Sequence, residues 1–536
     1  MPDRGARGSV PIITLIRARP NPSTARTRRA APPTAATAAA LAALLAALTA
    51  GPAVGSPTAR TRALLQAKTP SKTKKKSSSK KSKSKKPKAK TKRFSSFVVD
   101  GPSPNIQSLG GMVMGRNGGG AVVYVKTVGG VGHIFASVLS GRSWTVPVQV
   151  DKGLNDASAQ PVVGVGDNGE VAVAFVNDQT LYQAVEPGTG QPFVSPVPIA
   201  NPATNPSLGM APDGASYVSF TDPRAPAQVR IAHMAHGEIN FHLNPRSLNI
   251  DPSRNAGDTA AKRSRVAVSG DGTAMVTWGE DAPEGRVHVW ARRVARDLVS
   301  AVPQDLTLAS FDGATGAGVD AAQVGLDDDG SLGRAVFRQG FSQGGAAVNR
   351  ALSRRLIGSL FEGPVPMDGL TFPASDAADP PQLSETGAGD ALVTVGLAGS
   401  HQTMASVARP STNVFTAPAP VDRVANAIDP QPAPAMADHG IGLVAWLQSS
   451  AAGAPVSVVG DSLARFTFTK AVTLSTSTFG SVDPTNGLYA STDRLGDVTV
   501  AYLQAAATGR SVVLGGEVRS GVSAPIGPAA APPPPA

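Results

Sequence analysis

The sequence predicts an all-β fold built from about eight repeated four-stranded units, and three observations carry that prediction. The first is a recurring turn-and-strand unit, seen most clearly as Gly270-Asp271-Gly272 followed by Thr273-Ala274-Met275-Val276-Thr277-Trp278. A glycine with an aromatic six positions later also reads from Gly169 to Phe175, Gly214 to Phe220, Gly440 to Trp446 and Gly496 to Tyr502. Looser copies run from Gly118 to Tyr124, from Gly389 to Val395, which lacks the aromatic, and from Gly330 to Phe337, which is one residue longer. The closing positions stand about 54 residues apart. The second observation is that these strands are apolar on both faces. The third is that no helical period of useful length follows residue 94.

Each copy is a turn feeding a strand, because glycine accepts positive φ without steric cost and an apolar run follows it. Side chains alternate faces along a strand. Val171, Val173 and Phe175 therefore oppose Ala172 and Ala174, and Val498, Val500 and Tyr502 oppose Thr499 and Ala501. One face is large and the other small, and a strand apolar on both faces must be covered on both. Further alternating runs follow, such as Arg286 to Ala291 and Val299 to Leu308, and His133 to Ala136 and Trp144 to Val150. With the strand that precedes each glycine, a repeat holds about four strands, the pattern of a β-propeller of about eight blades. Ser95 to Asp100 resembles the end of a repeat and is expected to pair with Val512 to Val518, closing the ring through its two termini. The propeller is assigned to residues 94–527.

Charge divides the chain. Residues 1–93 hold 23 Lys and Arg against one Asp, so residues 94–536 carry about −10 within a net +12, and the high isoelectric point describes the leader. Residues 1–55 have a long basic region, an Ala/Leu run from Thr34 to Ala50 and small residues at its exit, the three parts of a signal peptide. Residues 56–93 read as a disordered Lys-rich linker that cannot bury apolar area. As a tether, its Lys68–Arg93 segment would engage polyanionic envelope polymers. No aromatic interleaves the lysines, so any nucleic-acid contact would be phosphate-only and not sequence-specific. Residues 528–536 form a Pro-rich tail. The chain has no cysteine, which leaves stability to packing and ring closure.

The repeat over residues 94–527 resembles secreted propellers of the sialidase-like type and, more closely, repeat proteins of actinobacterial type. The resemblance implies the propeller fold and a non-catalytic member. The sialidase box Ser-x-Asp-x-Gly-x-Thr-Trp is not matched, since Ser269-Gly270-Asp271-Gly272-Thr273 has the residue types at another spacing. No active-site residue is carried over.

Candidate chemistry lies in polar loops between strands and between units. Many hold Asp before Pro, as at Asp251, Asp379, Asp429 and Asp483, and Asp before Pro initiates turns. The functional alternative is an acidic mouth that binds a cation, a basic partner or sugar hydroxyls. Asp222, Glu280, Asp281, Glu284 and Arg286 are the binding candidates, the last four in the densest polar loop. Paired carboxylates there also suit glycoside cleavage, against a plain solvated loop. Asp327-Asp328-Asp329-Gly330 lacks the alternate-acid pattern of a calcium loop, and its extra residue reads as a bulge. His233, His236 and His242 do not share the spacing of a zinc site. No metal or cofactor is assigned.

These features predict an exported, monomeric, non-catalytic propeller at the cell envelope that binds a glycan or protein. A carbohydrate-active hydrolase or lyase and a structural envelope protein are the alternatives.

Overall fold

The computed structural model describes residues 94–371, 376–409 and 414–517. The expected leader, Lys-rich segment and Pro-rich end lie outside these residues. Eight antiparallel sheets follow one another along the chain, each a blade of four strands, some with a short fifth piece. In blade 1 the order from the axis outward is Ile106–Met114, Gly120–Val128, Val131–Ser140 and Ser143–Trp144. The inner strands of blades 2 to 8 are Ser158–Val165, Thr204–Met210, Arg265–Val268, Ala314–Leu326, Gln382–Glu385, Ala433–Ala437 and Tyr489–Thr492. Each contacts the inner strand of the next blade, and that of blade 8 contacts that of blade 1. The ring is closed, with the eight blades that the repeat predicts.

Packing between blades follows the large-face and small-face reading. Val171, Val173 and Phe175 of blade 2 meet Ala121, Val123 and Ala136 of blade 1, while Ala172 and Ala174 meet Val218 and Phe220 of blade 3. Trp278 packs on Tyr217, Val229 and Ile231 of the preceding blade, and Tyr502 on Ala445 and Leu447. Tyr124 shares a layer with Ala501 and Leu503, so the seam between blades 8 and 1 is filled like the others. All eight closing positions are at most 1% exposed. Such interlocking gives close packing with few aromatics.

The seam also has a clasp. Ser95–Ser103 is the outer strand of blade 8 and pairs antiparallel with Gly509–Glu517, with Phe97 opposite Leu514 and Val98 opposite Val513. Asp100 of this strand accepts hydrogen bonds from Tyr124 Oη at 2.6 Å and Lys126 Nζ at 2.8 Å, both in blade 1. Main-chain pairing thus ties the first described strand to the last, and Asp100 ties it to the neighbouring blade.

One expectation is corrected. The extra residue between Gly330 and Phe337 is not a strand bulge, because the ladder Leu332–Gln343 with Ala346–Ile357 is unbroken. It lies in the turn, which closes from Asp327 N–H to the Leu332 carbonyl at 3.1 Å. The matching turns close one residue sooner, from Gly166 to Glu170 and from Ser269 to Thr273. Adding a residue to the turn preserves the register on which two buried faces depend.

Candidate functional site

Every inner strand runs toward the tight turn that leads to the second strand. One face of the ring therefore carries those turns. The opposite face carries the loops between blades and between second and third strands. Cavities lie near the axis at both faces.

At the turn face, side chains cross the axis. Arg116 follows the inner strand of blade 1 and Asp328 sits in the longer turn of blade 5, the blade opposite in a ring of eight. Arg116 Nη1 donates to Asp328 Oδ2 at 2.7 Å, and Nη2 donates to Oδ1 in a second, parallel bond. The Asp328 backbone is fixed by its own N–H to the Gly387 carbonyl at 2.9 Å and by the Asp271 N–H to its carbonyl at 3.0 Å. A side chain at Gly387 would strike both the guanidinium and the carboxylate. Beneath this bridge is a chamber of about 440 Å³ with Met114, Met210, Met436, Val266, Leu326 and Leu383 in its wall.

At the loop face is a cavity of about 460 Å³. Arg265 of blade 4, Asp379 and Gln382 of blade 6, Asp429 and Gln431 of blade 7 and Tyr489 of blade 8 all line it. Two of these are held by amides. Gln382 Oε1 accepts from Gln323 Nε2 at 2.6 Å, and Gln431 Nε2 donates to the Pro484 carbonyl at 2.8 Å. Asp429 accepts from the Gln431 N–H at 3.1 Å, the turn chemistry expected of Asp before Pro. Asp251 and Asp483 do likewise with Ser253 and Thr485. Asp379 differs. Its N–H is bonded to the Gly396 carbonyl at 2.9 Å, and its carboxylate lies against Gly396 and the cavity. Burial, reinforced by the Asp429 charge, pushes the Asp379 carboxyl up to about 6.

Arg265 opens the blade 4 inner strand Arg265–Val268, and Arg263 stands two residues before it in the loop that enters the strand. Burial lowers both, Arg263 to about 10, and Arg265 adds to the shift of Arg263 by like-charge repulsion. The phenol of Tyr489 is raised by burial, while the two guanidinium charges pull it the other way. Arg263 donates to the Pro206 carbonyl, and its Nε is buried without an acceptor. Among the described residues neither arginine is paired with a carboxylate.

The residues singled out from sequence lie on the loop face, but they hold loops. The Glu280 carboxylate is buried and accepts from Ile250 N–H at 2.9 Å, Asp251 N–H at 2.8 Å and Trp278 Nε1 at 3.1 Å. Asp281 pairs with Lys262 at 2.9 Å. Glu284 accepts from Arg286 Nε at 2.8 Å and lies 2.6 Å from His288 Nε2. The Arg286 bond, then the Glu284 backbone and His288, holds its carboxyl down to about 2. Arg286 also donates to the Gly316 carbonyl at 3.1 Å. Asp222 is clamped by Arg224, whose Nε donates at 2.9 Å. Cross-strand pairing sets His233 beside His242, ring centroids 5.8 Å apart, while His236 bonds the Asp213 carbonyl. No group of three or more His, Asp or Glu able to hold a metal occurs among the described residues. Sequence reasoning missed Arg263, Arg265 and Tyr489. The available signal was Arg263-Ser264-Arg265, cations at alternate positions entering a strand whose counterparts are uncharged or apolar.

No protein-family model matches the chain, and no curated protein matches it. Solved structures similar to it are propellers of low identity. The Dos1 propeller aligns with TM-score 0.44 and 8% identity over 79% of this chain and 95% of its own. A protein of unknown function from Dyadobacter fermentans aligns with TM-score 0.40 and 12% identity over 80% and 99%. An ulvan lyase of polysaccharide lyase family PL25 aligns with TM-score 0.41 and 11% identity over 69% and 96%. At such identities the likeness is one of fold alone.

Proposed function

We propose that this chain is an exported, non-catalytic propeller that binds a glycan or protein partner at the cell envelope, through the loop-face mouth of its channel. One observation carries the reading: Arg265, Asp379, Gln382, Asp429, Gln431 and Tyr489 converge from four blades on one cavity. A concave site with a few convergent polar groups is the usual form of a small-ligand pocket. Sugar hydroxyls need acceptors and donors together, and the carboxylates and the amides provide both. Binding is favoured over turnover because the acids of the densest loop, Glu280, Asp281 and Glu284, are committed to loop bonds. The Lys68–Arg93 segment would hold the protein to anionic envelope polymers.

A hydrolase or lyase is the second reading. The raised carboxyl of Asp379 beside Asp429 favours it, because a carboxyl near 6 is suited to proton transfer close to neutral pH. A glycan array probed with the full chain, with and without calcium, followed by a reducing-end assay on each bound polysaccharide, tests the two. Binding without turnover is the expected result. Turnover of any bound polysaccharide overturns the non-catalytic reading, and silence on the whole array removes glycan recognition.

A further inference from the structure

We infer that a cavity at the outer edge of the seam between blades 1 and 2 binds a free α-amino acid with an apolar side chain, its ammonium group on Glu186 and its carboxylate on Lys152. The cavity shares no residue with the loop-face mouth, so each site stands without the other.

Strand geometry places the acid. Glu186 ends the third strand of blade 2, Thr180–Glu186, and alternation gives it the face of Tyr182 and Ala184, which pack toward blade 1. Ten residues, 187–196, then lead to the outer strand Val197–Ala200, whereas a two-residue turn makes the same connection in blade 1. The longer loop folds back on its own strand. The Val194 N–H donates to the Val185 carbonyl at 2.8 Å, and the Gln191 N–H to the Gly188 carbonyl at 3.0 Å. Gly190, at φ 78°, a conformation that favours glycine, turns its own N–H onto Glu186 Oε1 at 2.9 Å. The facing wall is fixed as well, by the Thr145 N–H on the Val138 carbonyl at 2.8 Å and the Val150 N–H on the Ile134 carbonyl at 2.9 Å. Between loop and wall lies a cavity of about 350 Å³, lined with Val138, Val148, Phe193 and Val194. That volume is within the range of small-ligand sites.

Two opposite charges line this space, and they are not bonded to each other. Glu186 is 5% exposed, and among the described residues its carboxylate takes the Gly190 N–H and no cation. Burial raises its carboxyl, the Gly190 N–H opposes that, and no positive side chain enters the balance. A buried carboxylate is costly until a cation or further donors satisfy it. Lys152 lines the same cavity from the blade 1 side and is exposed. Among the described residues it too has no ion pair, and its neighbour Asp151 is taken by His133 Nδ1 at 3.0 Å. An ammonium group brings three N–H donors to Glu186. A simple alkylamine would leave Lys152 facing a second cation, and a plain carboxylic acid would set its charge against Glu186. A zwitterion meets both groups at once. The valines and Phe193 favour an apolar side chain on it, because each apolar group that enters leaves water.

The experiment is calorimetric titration of the full chain with L-leucine, L-leucine methyl ester and 4-methylpentanoate, which keep one side chain and lose in turn the acid and the amine. L-leucine is expected to bind at least about tenfold more tightly than either, the value of one charged hydrogen-bonded contact. Glu186→Gln should abolish the preference over 4-methylpentanoate, and Lys152→Gln the preference over the ester, each with the thermal melt unchanged. Equal binding of the three ligands overturns the inference, and so does a chain that binds no leucine. A leucine preference that survives both variants places the site elsewhere and overturns it too. Should Glu186→Gln not fold, Lys152→Gln at its exposed position decides alone, and a preference over the ester that persists there overturns the inference.

Discussion

Arg116 of blade 1 holds Asp328 of blade 5 in a two-bond fork across the axis of the ring. The two residues are 212 positions apart in sequence, and the blades that carry them stand opposite each other in the ring of eight. The pair is well exposed, with side chains 36% and 50% accessible, so its direct contribution is that of a surface ion pair, about 0.2–1 kcal/mol. A double-mutant cycle of Arg116→Gln and Asp328→Asn should return a coupling in that range that fades at high salt. Gly387→Ala should remove the same coupling with both partners still in the sequence, because its Cβ strikes both of them at the fork. A coupling of several kcal/mol, or one insensitive to Gly387→Ala, would refute this account.

The clasp makes a larger prediction. Asp100 accepts from Tyr124, whose hydroxyl lies in the sealed seam, and from Lys126. Burial and the Asp100 bond hold the Tyr124 phenol far above its ordinary value, so it remains a donor at every accessible pH. Asp100→Ala strands that donor and leaves Lys126 without its acid. It should cost about 2–3 kcal/mol in urea unfolding. Tyr124→Phe in the same background should recover part of the loss, because the stranded hydroxyl is then gone. No loss in Asp100→Ala would mean that strand pairing alone closes the ring.

The clasp and the blades were legible because both rest on local signals. A glycine turn, alternation and a terminal half-repeat are written in consecutive residues, and Phe97 opposite Leu514 follows once the ring is assumed. The longer copy at Gly330 was visible too, but whether an added residue enters a strand or a turn depends on the unbroken ladder beside it. The mouth was legible only in part. Asp379 and Asp429 stood out as acids before proline, whereas Glu280 and Glu284 stood out through density and proved to be loop anchors. Arg265 and Tyr489 lie 224 positions apart, and only the circular arrangement of eight strands brings them face to face.

Val395 tests whether the aromatic slot is a general feature or a local fit. It is the one closing position without a ring, and it is fully buried against Val336, Ala378, Leu397 and Met404. Restoring the aromatic with Val395→Phe should destabilise by about 1–3 kcal/mol, since that layer is already filled. Trp278→Ala removes a ring from a filled layer and should cost about 3–5 kcal/mol. Both are read from denaturant midpoints at constant slope. A stabilised Val395→Phe would show that the layer between blades 5 and 6 holds an unfilled void.

Asp379 makes the loop-face mouth pH-dependent. The groups that act on it are Asp429 and Asp376, which raise its carboxyl, and Arg338 and His401, which lower it, with burial the largest influence. Its folded value of about 6 is above the ordinary 3.8. The folded state therefore holds the proton more tightly than the unfolded chain. The resulting stability is complete below the ordinary value and is lost as pH rises through about 6. Above about 6 the mouth carries an added negative charge near Arg265, and below it that charge is gone. The urea midpoint should therefore be higher at pH 5.5 than at pH 7.5 by this group's share. Asp379→Asn should lose that share, so its midpoints at the two pH values lie closer together. A profile that persists in that variant assigns the proton to another group.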